Sequence, residues 1–190
     1  MVEKKVDETA EDPGARLRLA LAACDRGSTS VEDVRPGEFE GDVSGDVSAS
    51  LRGDAYSGSS IGDYHDVIVL NDPSEGAEVV FYYTDDEFAR EGSLSIRNNI
   101  DLEYANGVVA QIEVDGRFFV ATSGTMNLRD VTVDNVDGTA RFRAVELDQF
   151  DDPISGSEVI VDVAFRADYA GAINFNLSPA FSAASAKASR

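Results

Sequence analysis

The chain has 190 residues, enough for one domain with a single substantial core. Its 36 acidic residues against 16 basic ones give a net charge of -20, spread along the chain, which argues against nucleic acid as a partner because phosphate is held by clustered Lys and Arg. One cysteine excludes an internal disulfide, and no stretch reaches the ~18 to 20 apolar residues of a membrane helix. Lysine occurs only at Lys4, Lys5 and Lys187, a bias that suits either a saline habitat or a GC-rich genome.

Residues 1–14 are charged, without apolar periodicity, and end in Pro13-Gly14, so they read as disordered or as an artefact of start-site choice. Ala15 to Cys24 follows as ARLRLALAAC, whose last four residues, Leu21-Ala22-Ala23-Cys24, resemble the lipobox of bacterial lipoprotein signals. In such signals small residues before the cut fit a signal peptidase, and the resemblance implies that the Cys24 thiol is the lipid attachment point. The apolar run is shorter than usual, contains Arg18 and follows an acidic stretch, which a truncated or wrongly started signal would produce. The competing reading is a short Leu/Ala helix with an idle Cys24. Polar residues from Asp25 to Gly37 then read as a tether.

From Phe39 to Ala55 every odd position is apolar or glycine and every even one polar, the period of a strand, so Phe39, Val43, Val47, Ala49 and Leu51 share one face. The run is too long for one ordinary strand, and Gly41, Gly45 or Gly53 is expected to mark a bend, a bulge or a change of sheet. Tyr56 to Asp63 is Gly/Ser-rich and reads as loop. The continuous run Val67-Ile68-Val69-Leu70 predicts a strand buried on both faces, and Val79 to Tyr83 a neighbour. Alternation resumes at Leu94-Ser95-Ile96.

Asp115-Gly116 as a two-residue turn pairs Ile112 with Phe119 and Ala110 with Ala121. A three-residue loop, Ala105 to Gly107, would pair Tyr104 with Val108, Leu102 with Ala110 and Ile100 with Ile112, because the shorter turn would drive Glu103 and Asp101 into the core. Parity slips near Arg129-Asp130, predicting a bulge or a short turn. Asp137-Gly138 as a turn pairs Val133 with Phe142 and Val131 with Ala144. Val159 to Tyr169 is a second long alternating strand, and Ile173, Phe175 and Leu177 offer a last one. About ten strands predict an all-β fold, an antiparallel β-sandwich of about ten strands or, alternatively, a barrel-like closure. The expected organisation is a disordered N-terminus, signal and tether over 1–37, a β domain over 38–178 and a mobile tail over 179–190.

Candidates for chemistry are few. The single histidine, His65, lies between Asp63 and Asp66 and reads as a strand-end residue in a polar loop; one His and one lipobox Cys are too few soft ligands for zinc. Three acidic groups are weak candidates for calcium: Asp85-Asp86-Glu87, Asp134 with Asp137, and, best of the three, Asp148 with Asp151 and Asp152. None has the spacing of a glycine-shaped calcium loop, and solvated surface charge is the favoured reading. Without tryptophan, a sugar platform would rest on Tyr56, Tyr64, Tyr82 and Tyr83. No nucleophile, base and orienting group stand in a known catalytic pattern, so no enzyme and no cofactor is expected.

Three further motifs, Val43-Ser44-Gly45-Asp46, Ser123-Gly124-Thr125-Met126 and Gly138-Thr139-Ala140-Arg141-Phe142, stand ahead of the closing strand Glu158 to Tyr169. With the lipobox and tether, this order resembles a group of small envelope lipoproteins of Gram-negative bacteria. The resemblance spans Phe39 to Tyr169 and implies a β-rich extracytoplasmic, periplasm-facing domain with no assigned activity. The expectation is a non-enzymatic, lipid-anchored binding or structural interaction protein of the cell envelope, with a protein or glycan as partner, touching the membrane only through Cys24. The alternatives are a carbohydrate- or calcium-binding accessory module and, if the lipobox is unused, a soluble protein.

Overall fold

In the computed structural model the described residues are 30–60, 66–83, 89–98, 107–150 and 152–173. Among these residues nine strands form one sheet: β1 (Glu38–Gly45), β2 (Ala49–Ser60), β3 (Asp66–Asp72), β4 (Ala77–Tyr83), β5 (Gly92–Ile96), β6 (Val108–Val114), β7 (Arg117–Val131), β8 (Asn135–Leu147) and β9 (Pro153–Ile173). Their order is β1-β2-β3-β4-β6-β5-β7-β8-β9, and β1 pairs with β9, so the sheet closes into a barrel. The all-β expectation is met, in its closed form. Most pairings are antiparallel; β5 with β6 and the upper part of β2 with β9 are parallel.

Alternation explains what fills the barrel. Odd residues of β9 from Val159 to Ala167 are buried, as are Phe39 and Val43 of β1 and Leu51 and Ala55 of β2. Five fully buried phenylalanines, Phe39, Phe81, Phe119, Phe142 and Phe165, occupy the middle, with the Phe81 and Phe142 rings edge to face at 5.8 Å. An interior of this kind is packed by side chains rather than left as a channel. Outside, β8 and β9 pair Arg141 with Asp162 and Arg143 with Glu158 at the surface, and Arg166 with a buried Asp137.

The long run Phe39 to Ala55 is a hairpin: β1 ends at Gly45, with φ of +124°, and Phe39 lies opposite Gly53. Val67 to Leu70 is buried on both faces, as its unbroken apolar run requires. Ile68 and Leu70 face the core, while Val67 and Val69 join Val80, Tyr82 and Val109 in an outer cluster against which Ile173 packs. At Asp115-Gly116 both residues have positive φ, and Ile112 faces Phe119 as that turn demands.

Four readings need correction. Residues 56–60 continue β2 rather than forming a loop, because they pair with β3 on one side and with β9 on the other. Gly58 suits that crowded place: a Cβ there would lie 2.2 Å from the Gly171 carbonyl oxygen. The β7–β8 turn is not at Asp137-Gly138 but at 132–134, with Val131 opposite Val136 and Leu128 opposite Gly138. Gly138 is interior to its strand, and the turn reading failed because it took glycine as a turn former where it is a close-approach residue. The tether does not run to Gly37. Ser30 caps a short 3-10 turn at Val31–Asp33, Val31 and Val34 pack on Ala164, and Gly37 donates to the Arg166 carbonyl at 2.7 Å. Finally, the loop pairing Ile100 with Ile112 falls on residues outside those described, yet Ile112 already has Val79 and Phe119 on its two sides. A strand has only two edges, so no third partner fits there.

Strand β7 carries the predicted bulge between Leu128 and Asp130 and a second one between Ala121 and Ser123. Each bulge flips the inward parity, from Phe119 and Ala121 to Met126 and Leu128 and then to Val131.

Candidate functional site: a cavity at one end of the barrel

The two ends of the barrel differ in chemistry. At one end Arg117 begins β7 on the same face as Phe119, its guanidinium 5.1 Å above that ring. Its Nη2 donates to Asp46 at 2.6 Å, Glu146 at 2.5 Å and Ser157 at 2.6 Å, and Ser157 donates onward to Glu146 at 2.7 Å. These four residues come from the β1–β2 turn and from β7, β8 and β9, so the cluster ties those elements together at that end. Arg117 first and Ser157 second hold the Asp46 and Glu146 carboxyls below their ordinary range, while the two acids hold the Arg117 proton more tightly. Every member is committed to another, which makes this a latch.

At the other end the described residues line a cavity. Its volume is about 440 Å³, and it lies where β2, β3, the β7–β8 turn and the end of β9 meet. Its apolar wall includes Ile68, Ala89, Val131, Val133 and Val136, and Tyr169 stands half-exposed at the rim. Its polar lining includes Ser57, Ser59, Thr132 and Asp66. Ser57 lies opposite Ile68 and Ser59 opposite Asp66, so these four residues share the inward face of neighbouring strands. The Asp66 carboxylate accepts the Ala89 N–H at 2.8 Å. Ser57 is only 4% exposed and its Oγ has no hydrogen-bond partner. A buried hydroxyl left unpaired costs on the order of 1–3 kcal/mol. Tyr83, on the strand beside Asp66, also buries a hydroxyl without a partner; burial, and then the Asp66 charge, push its ionisation up, so it stays neutral.

The residues singled out from sequence are scattered. Asp148 accepts the N–H groups of Phe150 at 2.8 Å and Asp152 at 3.0 Å, so its carboxylate braces its own loop; Asp151 lies outside the described residues. Asp137 accepts from Arg166 at 2.9 Å, while Asp134 sits in the neighbouring turn and gives its carbonyl to Tyr169. Among the described residues no three potential ligands converge on a metal position. Tyr82 and Tyr83 are both buried and belong to opposite faces of β4, so they form no joint platform, and Tyr56 is partly exposed on the outside. Cys24, Tyr64, His65, Asp85, Asp86 and Glu87 lie outside the described residues.

The mouth was missed in the sequence because 56–60 read as loop. The usable signal was parity: Ser57 stands two residues beyond Ala55 and four beyond Gly53, on the core side of the alternation. Comparison with protein-family models, with curated proteins and with solved structures gives no match.

Proposed function

We propose that this chain is a non-enzymatic binding protein of the cell envelope, held by a lipid on Cys24 and presenting the cavity at one end of its barrel to a ligand. The observation that carries the binding reading is the contrast between the ends: one is latched by Arg117, the other holds a cavity with an unpaired, buried Ser57 hydroxyl. Cavities with mostly apolar walls and a few placed polar groups are the usual form of a small-molecule site. The anchor reading rests on Leu21-Ala22-Ala23-Cys24 and on the resemblance to envelope lipoproteins. A diacylglycerol on Cys24 brings two acyl chains, enough for stable attachment at about 0.8 kcal/mol per buried CH₂. No helix among the described residues is long and apolar enough to cross a membrane.

Expression behind a competent leader tests the anchor. The parent protein should partition into detergent and the Cys24→Ser form should stay aqueous and unprocessed; equal partitioning would return the protein to the soluble class. Thermal-shift measurement tests the mouth, since a ligand of the folded state raises Tm with its concentration. Val133→Arg puts a long side chain at the rim from a position that is 83% exposed, and should abolish that shift without unfolding the barrel.

A further inference from the structure

We infer that the mouth takes a small apolar amine, with its ammonium between the Asp66 carboxylate and the Ser57 hydroxyl and its carbon body against Val131, Val136 and Tyr169. This rests on the reading of the mouth as the binding site and adds the ligand's chemical class.

Three observations lead to it. Among the described residues that line the cavity Asp66 is the charged one, so charge complementarity asks for a cation, and the -20 of the chain raises the local concentration of cations. Ser57 and Asp66 are diagonal neighbours on one face, since Ser57 pairs with Ile68 two residues along from Asp66. Diagonal pairs on a sheet stand roughly 7–8 Å apart at most between Cβ atoms, a gap that one ammonium with three N–H donors spans. The ammonium would give Ser57 Oγ the partner it lacks, and Asp66 has a second oxygen beyond the one that accepts from Ala89. Around these groups the wall is apolar, and Tyr169 adds aromatic surface for the carbon body. A sugar would leave the carboxylate unneutralised and much of that wall uncovered.

The test is a titration of the isotope-labelled full chain, followed by amide chemical shifts, with cyclohexylamine, cyclohexanol and cyclohexanecarboxylate at equal ionic strength. The expected result is saturable shifts at Ser57, Ile68, Val136 and Tyr169 with the amine, binding about tenfold weaker with the alcohol, and none with the acid. Asp66→Asn keeps an oxygen for the Ala89 N–H and should weaken the amine about tenfold while leaving the alcohol unchanged; Ser57→Ala should weaken the amine several-fold. The inference is overturned if the alcohol binds as tightly as the amine, or if the amine's shifts spread over the acidic outer face. Binding of the alcohol alone at the mouth overturns the amine and leaves the mouth as the site. No shift at the mouth with any of the three overturns both. Should Asp66→Asn fail to fold, the ratio of amine to alcohol in the parent protein decides.

Discussion

Gly138 has no side chain because its neighbours already fill the space. A Cβ there would lie 2.7 Å from the Asn127 carbonyl oxygen and 3.1 Å from the edge of the Phe165 ring. Gly138→Ala should therefore cost about 1–3 kcal/mol, the usual range for overpacking, measured by urea unfolding. Val133→Ala, at the turn, should change stability by less than about 0.5 kcal/mol. Had the turn been at Gly138, Val133 would be a core residue and that substitution would cost far more. Glu78 gives a second test: it lies opposite Glu113, and burial first, then the Glu113 charge, raise its pKa. A carboxyl raised in the folded state binds its proton more readily folded than unfolded, so it takes stability away as pH rises through that range. Glu78→Gln should raise stability at neutral pH by about 0.5 kcal/mol, the order of one cross-strand pair, and the gain should vanish in acid.

The Arg117 latch joins four separate elements, and its pH dependence has the opposite sign. Asp46 and Glu146 have lowered pKa values, so their contribution is present above the unfolded carboxylate range and is lost as pH falls through the folded values. Arg117→Gln should lower Tm at neutral pH, and its deficit should shrink on acidification as both acids take up protons; a pH-independent deficit would mean that Arg117 acts only by packing on Phe119. Strand identity was largely legible from alternation, because each strand has one face on a single core: Val159 to Tyr169, Leu94 to Ile96 and the Asp115-Gly116 hairpin all stand as read. Partnership was less legible. That β6 lies between β4 and β7 over its lower half, and that β9 overhangs β1 to reach β2, are non-local facts that local periodicity does not encode. The mouth depended on that overhang, since Ser57 to Ser60 are poor strand formers that hold an extended shape only between two partners.

For the molecule as a whole, the docked segment before β1 and the charge set the conditions of stability. Val31 and Val34 are buried against Ala164, so a fragment beginning at residue 38 should lose about 3 kcal/mol or more relative to one beginning at residue 30, read as a drop in Tm. A net charge of -20 repels itself, and raising salt from about 0.01 M to about 1 M, which shortens the screening length roughly tenfold, should raise Tm. The seam between β1 and β9 sets an order in time. Phe39 sits beside Phe165, so the first strand made waits for the last before its second edge is covered. During synthesis the growing sheet keeps open edges until β9 has left the ribosome, and closure across so long a loop places refolding in the slow, millisecond-to-second class. Until then, like-charge repulsion between chains, rather than a sealed barrel, keeps one half-made sheet from zipping onto another.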